Sequence, residues 1–327
     1  LADGVLWSIG SWQGAAQQIG SAERLRMLYL LTYADCRAIG RLGWFSWRDA
    51  LLYEAYQRLL TVLVPTAAAR ATSQYFRAQL FQRAAEAGLT ELAERLVSNA
   101  PGRYMVEVSP EEACDHLRLL GRLQAAAGAM SVSREGGCAR VWFCTSDVPA
   151  RFSQIAGVLT AHGLNILSAR AFTLADGAIL DRFIVHGVKQ PVGLEPAFWQ
   201  QVENTFLASI TGTLDLDALI AERLSRRERE QALASRRGVT SVHFDNDSSP
   251  RFTIVDVVTW DRLGLLYAIS RALSRKGANI ESAMVSTRLD LAQDVFYVNE
   301  CKTGEKITAQ ARLEDIRREL LAAAEGT

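Results

Sequence analysis

The stretch from residue 259 to 266 brings together residue types that suit recognition of a small charged ligand. It reads Thr-Trp-Asp-Arg-Leu-Gly-Leu-Leu and predicts a turn, with Asp261 at its start as a helix N-cap type, followed by a helix. A helix start offers unpaired N–H groups and a positive dipole, which suit a carboxylate. Gly264 lets the backbone approach a ligand closely. Asn279 can accept a hydrogen bond from an ammonium group and donate one to a carboxamide.

The same arrangement occurs earlier in the chain, at an offset of 114 residues. Residues 147–152 stand where residues 261–266 stand. The register then holds at Gly163/Gly277, Asn165/Asn279, Ile166/Ile280, Ser168/Ser282, Ala169/Ala283 and Thr173/Thr287, and after a slip of one Asp181 matches Asp294. A repeat that keeps register for this long is one supersecondary unit used twice.

The candidate binding residues are those of the turn and of the next strand start in each copy. They are Asp261, Leu263, Gly264, Leu265, Asn279 and Ile280 in the second copy, and Asp147, Pro149, Ala150, Asn165 and Ile166 in the first. Each residue alone also fits a purely structural role, as a helix cap or a left-handed turn residue. The whole constellation occurring twice favours binding. Because Ala150 adds a methyl group where Gly264 has none, the sequence predicts tighter binding at the second copy.

Each copy predicts a strand, a helix and a hairpin, which is most of a ferredoxin-like unit. The first strands, 141–144 and 252–258, are β-branched and aromatic. Apolar residues recur at helical spacing after each turn, and Gly163 and Gly277 then stand where a left-handed cap favours glycine. The second copy ends in a helix with no strand after it. Its sheet therefore lacks a fourth strand unless residues 239–244 supply one by forming a hairpin with 252–258.

The remaining sequence predicts the domain organisation. Residues 1–127 carry helical apolar stripes, and the small polar run 128–137 is predicted to be a protease-sensitive linker. Residues 214–237 predict a charged helix in which glutamate and arginine alternate, which favours a solvated face over a nucleic-acid site. The predicted class is α+β, with a helical segment (1–127), a first repeat with the charged helix appended (138–237) and a second repeat (239–327). The two repeats are expected to pack as one body, separately from the helical segment.

The composition argues against some classes of binding partner and predicts the cellular compartment. The 327 residues include 36 Lys+Arg and 36 Asp+Glu, so nothing in the net charge argues for nucleic acid or an anionic membrane. Five cysteines without a Cys-x-x-Cys motif predict reduced thiols and a cytoplasmic protein. No apolar run is long enough to predict a membrane span. Since Leu1 is not an initiator methionine, the chain is expected to be a fragment of a longer protein.

The repeated motif resembles that of a known family. Asp-Arg-x-Gly-Leu-Leu, a helix and then Gly-x-Asn-Ile resembles an ACT domain, a βαββαβ module that binds amino acids. The pair, with Asp-Val-Phe-Tyr-Val at 294–298 and the preceding helical segment, is similar to the C-terminal part of the bifunctional uridylyltransferase/uridylyl-removing family. That resemblance implies glutamine as effector, the PII signal protein and UTP as partners, and Mg²⁺ as a cofactor whose ligands lie mostly outside this chain. Both turns depart from the family's Asp-Arg-Pro-Gly: Leu263 replaces the proline, and Val148 and Ala150 replace the arginine and the glycine.

The resemblance also implies two catalytic centres, and neither motif is found in this sequence. A nucleotidyltransferase needs Asp-x-Asp after a Gly-Ser turn, and the near matches at 215–217 and 245–247 lack that turn. An HD hydrolase domain needs adjacent His and Asp, and none of the four histidines precedes an aspartate. We therefore expect no catalytic residue here and no activity from the chain alone. Residues 30–35 resemble the last metal-binding helix of an HD domain, which makes Asp35 a candidate ligand of an incomplete site; the alternatives are an ion pair with Arg37 or a helix cap.

These observations predict a regulatory, glutamine-sensing portion of such an enzyme. An alternative is a stand-alone amino-acid-binding module without catalytic activity. A third possibility, an ACT-regulated dehydrogenase, is disfavoured because no Gly-x-Gly-x-x-Gly follows a predicted strand.

Overall fold

The structure, a computed structural model, describes residues 18–38, 56, 59, 67–101, 104–135, 138–187, 195–223, 240–249, 251–288 and 291–326. The helices are α1 (Ala22–Ala38), α2 (Ala67–Ala87), α3 (Thr90–Asn99), α4 (Tyr104–Glu107), α5 (Pro110–Leu123), α6 (Arg151–Ala161), α7 (Pro196–Ile210), α8 (Leu216–Arg223), α9 (Leu265–Arg275) and α10 (Gln310–Glu325). The strands are β1 (Gly128–Glu135), β2 (Cys138–Ser146), β3 (Leu164–Thr173), β4 (Ala178–Gly187), β5 (Ser241–Asp245), β6 (Thr253–Trp260), β7 (Ala278–Arg288) and β8 (Leu291–Glu300).

The eight strands of the described residues form one antiparallel sheet in the order β1-β2-β4-β3-β7-β8-β6-β5. The first half (β1, β2, α6, β3, β4, α7) and the second half (β5, β6, α9, β7, β8, α10) repeat the same ββαββα order. The α+β class is therefore confirmed. The βαββαβ order is wrong in one respect, because one edge strand precedes the unit instead of following it. The fourth strand of the second half is the predicted one: β5 pairs with β6.

The predicted linker at 128–137 is wrong for residues 128–135, which form strand β1. This strand pairs with β2 from Gly128 opposite Thr145 to Glu135 opposite Cys138. A Cβ added at Gly128 would lie 2.7 Å from Cε1 of Phe206 and 2.8 Å from Cδ1 of Ile210. The small residue at this position therefore reflects close packing under α7 and not a flexible connection, which removes the reason to expect protease cleavage in this strand.

The two halves are joined edge to edge through β3 and β7. Ala169 lies opposite Val285, and Arg170 lies opposite Met284. Met284 is the counterpart of Arg170 at the repeat offset of 114 residues. A residue that meets its own counterpart across a joint indicates an approximate two-fold axis between the halves.

Helices α6 to α10 cover one face of this sheet and form a single core with it. The apolar stripe predicted after each turn is buried here: Phe152, Ile155 and Leu159 in α6, and Leu266, Ile269 and Leu273 in α9. These residues belong to one cluster that runs through both halves. The repeats thus pack as one body, as predicted.

The opposite face of the first half is covered by α2 to α5, which the sequence assigned to a separate helical segment. Leu80, Leu96 and Leu117 from these helices share a core with Trp142 and Phe172 of the sheet. The expectation that the helical segment packs separately is therefore wrong for residues 67–123. Apolar stripes predicted at 44–59 lie almost wholly outside the described residues, as does the predicted charged helix beyond Arg223. None of the described helices is both long enough and apolar enough to cross a membrane.

Candidate binding pockets between the two halves

The first of two pockets lies beneath the turn of the second half, and we name it the Asp261 pocket. It encloses about 290 Å³, including the part open to solvent. Its lining is Thr160, Leu164, Asn165, Ile166, Asp261, Arg262, Gly264, Leu265, Leu266, Val285, Ala292 and Asp294.

The second pocket lies beneath the turn of the first half, and we name it the Asp147 pocket. It encloses about 370 Å³, again including open space. Its lining is Asp147, Val148, Ala150, Arg151, Phe152, Ala171, Thr173, Ile179, Asp181, Ser274, Asn279 and Ile280. The two pockets are counterparts, since Thr160 and Ser274, for example, stand 114 residues apart.

Each pocket combines the turn of one half with the strand start of the other. Asp261 and Gly264 meet Asn165, whereas Asp147 and Ala150 meet Asn279. Sequence reasoning placed Asp261 and Asn279 on opposite sides of one pocket, and that grouping is wrong. The two-fold joint accounts for this exchange, because it places the start of each of the strands β3 and β7 beside the turn of the opposite half.

The remaining predicted residues divide between the two pockets and the turns. Ile166 and Leu265 line the Asp261 pocket, and Ile280 lines the Asp147 pocket. Pro149 and Leu263 lie in the two turns but contribute to neither lining.

The helix starts beneath the turns carry no side-chain cap from the described residues. Helix α6 begins after Ala150, at φ 69°, and α9 begins after Gly264, at φ 81°, and neither helix has a side-chain hydrogen bond at its N-cap. The predicted N-cap role of Asp147 and Asp261 is therefore wrong. Uncapped N–H groups at a helix start favour an anion, and Phe152 and Leu266, from the first turns of these helices, line the pockets.

The asparagines make different hydrogen bonds in the two pockets. Asn165 Nδ2 donates to Asp261 Oδ2 at 2.8 Å, which joins the halves across the Asp261 pocket. Asn279 Nδ2 donates instead to Glu281 Oε1 of its own half, at 3.0 Å. The same Glu281 oxygen accepts from Asn299 Nδ2 at 3.3 Å.

Both pockets combine negative and positive side chains. The pKa of Asp147 is raised by desolvation and by the negative charge of Glu281, although Arg151 opposes the shift. Burial lowers the pKa of Arg151 and of Arg262, and a nearby aspartate opposes each shift. Arg262 Nη2 donates to the Ala323 carbonyl at 2.7 Å, which ties the turn to the last part of α10.

Two buried acids were not among the predicted site residues. Asp181 is 2% exposed and Asp294 is 1% exposed, and they line the Asp147 and Asp261 pockets respectively. A signal was present in the sequence, because the two acids match each other across the repeat in strands that are otherwise mainly apolar. A carboxylate in such a position suggests a buried polar function.

The acids that came nearest to a catalytic motif are engaged in local contacts. Asp245 Oδ1 accepts from the N–H groups of Asp247 and Ser248, and Asp217 contacts Tyr267 and Arg271. Asp35 lies in α1, and its side chain is outside the described residues. Within the described residues no group of three or more His, Cys, Asp or Glu side chains is placed to hold a metal ion, so the Mg²⁺ implied by the resemblance has no fitting site in that part of the chain.

Comparison with known proteins finds sequence similarity to the same named enzyme in several bacteria. The chain is 32% identical over 316 residues to the bifunctional uridylyltransferase/uridylyl-removing enzyme of Gluconobacter oxydans, which covers 94% of this chain and 33% of that relative. The same enzyme is 31% identical over 315 residues in Rhodospirillum rubrum (93% and 33%) and 32% identical over 326 residues in Caulobacter vibrioides (97% and 34%). The predicted resemblance is confirmed. The chain spans about a third of the length of these relatives, and no protein-family model matches it.

Proposed function

We propose that this chain is the regulatory, glutamine-sensing portion of a bifunctional uridylyltransferase/uridylyl-removing enzyme. Its two halves are proposed to be ACT domains, each with one edge strand placed before the unit. The observation that carries the proposal is the pair of polar pockets between the halves, each with a carboxylate, an asparagine and an uncapped helix start. Similarity to one third of the enzyme, over nearly all of this chain, supports it.

The pocket chemistry suits the two charged ends of a free amino acid. Helix-start N–H groups and the arginine of each pocket favour the carboxylate. Aspartate carboxylates favour the ammonium group. Because each pocket takes residues from both halves, a bound ligand contacts both and favours one arrangement of the joint.

In the whole enzyme, the ligand's preference for one arrangement of the joint would regulate the two catalytic activities. Transfer of UMP from UTP to the PII protein, its removal, and any Mg²⁺ these reactions need are proposed to belong to parts of the protein beyond the pockets. Glutamine would bias those parts by binding one arrangement better, by typically ~1–3 kcal/mol. We propose that the helices that share the core of the first half transmit this bias.

Thermal unfolding of the chain with and without glutamine tests the proposal. At about 100 times its dissociation constant, a ligand that binds only the folded form adds ~2.7 kcal/mol of stability. We expect that gain from glutamine and a much smaller one from glutamate, which has the same size but a charged side-chain end. An unfolding temperature that glutamine leaves unchanged, or that both ligands raise equally, would contradict glutamine sensing.

A further inference from the structure

The turn that joins β3 to β4, residues 174–177, is closed by its own hydrogen bonds, and we name it the connector turn. The Gly177 N–H donates to the Leu174 carbonyl at 3.0 Å, and the Leu174 N–H donates to the Ala178 carbonyl at 2.8 Å. Asp176 Oδ1 accepts a further hydrogen bond from the Ala178 N–H, at 3.2 Å. Because these bonds lie within five consecutive residues, the connector turn is expected to move as one piece.

One side of the connector turn is bonded to residues 147–150, which we name the Asp147 turn. The Gly177 carbonyl accepts a hydrogen bond from the Asp147 N–H at 2.8 Å. The strands on either side of the connector turn also line the Asp147 pocket, through Thr173 and Ile179. A displacement of the Asp147 turn therefore acts directly on the connector turn.

The other side of the connector turn is bonded to helix α3, which belongs to the helical layer formed by α2 to α5. The Ala175 N–H donates to the Asn99 carbonyl at the end of α3, at 2.9 Å. Arg95 Nε of the same helix donates to Asp176 Oδ2 at 2.6 Å. The Leu174 side chain is 1% exposed and lies in the core of the helical layer. A backbone bond, an ion pair and an apolar contact thus hold the connector turn against α3.

Within the described residues, this contact with the helical layer belongs to the first half. The sheet residues in the core of the layer all come from that half, and they are Ala129, Trp142, Cys144, Phe172, Leu174, Ala178 and Leu180. In the second half the counterpart of Ala178 is Leu291. Leu291 is 36% exposed, whereas Ala178 is 3% exposed. The two halves share a fold but differ in what they contact.

Resting on the proposed function, we propose that the connector turn is a regulatory device that transmits the position of the Asp147 turn to the helical layer. Energetic coupling between distant sites can be carried by chains of hydrogen bonds and packed side chains. Here the chain of contacts runs from the Asp147 N–H to Gly177, and from Ala175 and Asp176 to α3. Movement of the second half reaches the helical layer through the joint between β3 and β7 and then by the same route.

Two substitutions made together weaken the link to α3 at residues that line neither pocket. Ala175→Pro removes the N–H that donates to α3, and proline suits this place because it is the second residue of the turn. Asp176→Asn removes the charge that pairs with α3 but keeps an oxygen for the Ala178 N–H. The matched control is Glu111→Gln, which breaks an ion pair with Arg83 inside the helical layer.

Hydrogen exchange of the whole chain, measured by mass spectrometry, tests the link without a ligand. Pro149→Gly loosens the Asp147 turn, because glycine lacks the fixed φ of proline. We expect it to speed amide exchange in α3 of the wild type and of Glu111→Gln, but not in the double variant. No change in α3 of the wild type, or an equal change in the double variant, would overturn the connector. If circular dichroism shows that Pro149→Gly does not fold, Pro149→Ala takes its place.

The same measurement with saturating glutamine separates this proposal from glutamine sensing. We expect glutamine to raise the unfolding temperature of the wild type and the double variant alike, and to slow exchange in α3 of the wild type alone. A raised unfolding temperature without slower exchange in α3 would overturn the connector and leave sensing intact. If glutamine leaves the unfolding temperature unchanged while Pro149→Gly still acts on α3, sensing is overturned and the connector is supported.

Discussion

Asp256 is a carboxylic acid buried in the middle of strand β6, away from both pockets. It is 3% exposed, its Oδ1 has no hydrogen-bond partner among the described residues, and burial raises its pKa from 3.8 to about 7. The folded chain therefore holds a proton that the unfolded chain has lost between pH 3.8 and about 7. The stability that this group contributes is complete below pH 3.8 and is lost as the pH rises through 7.

We expect Asp256→Asn to be more stable than the wild type at pH 8 and to lose that advantage at pH 4. A pKa shift of about three units sets an upper limit of ~4 kcal/mol on the difference. Urea unfolding of both proteins at several pH values measures it. Both proteins also lose stability as the pH falls below 6.5, because burial lowers the pKa of His116 to about 3. The difference between the two proteins removes this shared effect and isolates the contribution of Asp256. If the difference in unfolding free energy between the two proteins does not change with pH, the raised pKa of Asp256 is contradicted.

At the residue scale the sequence predicts several residues that line pockets but not how they are grouped. Asp261 and Asn279 are correctly placed in pockets, yet in different ones. The repeat offset shows that two copies exist, and it contains no information on which edges of the two sheets pair. The hydrogen bond from Asn279 to Glu281 is not predictable from the sequence, because it depends on the direction of one asparagine amide.

Helices α6 and α9 approach each other closely at Gly157. A Cβ added there would lie 2.7 Å from Leu216 Cδ2 and 2.8 Å from Tyr267 Cε2. Real Cβ atoms do not come so close, so the side chains of Leu216 and Tyr267 must shift to admit one. The glycine thus sets the distance between the helices of the two halves.

We expect Gly157→Ala to lower the free energy of unfolding by ~1–3 kcal/mol through overpacking, although alanine is intrinsically better in a helix by about 1 kcal/mol. Gly121→Ala in α5 is the matched control, because its Cβ would meet only a leucine methyl group at 3.2 Å. The control should be neutral or slightly stabilising in the same urea titration. Equal effects of the two substitutions would show that the close approach is unimportant.

At the element scale, helices and strands with a periodic apolar pattern are predicted well, and β1 is not. Its residues are small and polar, which is typical of a linker, but the strand lies at the sheet edge and packs under the bulky Phe206. Small residues there satisfy a tertiary constraint, and a local pattern cannot reveal it.

At the scale of the whole molecule, we expect the chain to be catalytically inert. Incubated with UTP, Mg²⁺ and PII protein, or with uridylylated PII, it should neither add nor remove UMP, since its nearest Asp-x-Asp acids are engaged in a turn and in contacts with Tyr267 and Arg271. Mass spectrometry of the PII protein measures both reactions. Turnover in either direction would reveal a site that neither the sequence nor the described residues indicate.

Because β3 and β7 join the two halves within one chain, the proposed response to ligand should not depend on protein concentration. Had the two halves been separate chains, each pocket would form only after a bimolecular association, and dilution would abolish it. Within one chain the partner half is present at an effective concentration of the order of millimolar, as for modules joined by a short linker. If the proposed sensing is correct, the midpoint of a glutamine titration should therefore stay the same when the chain is diluted from micromolar to nanomolar.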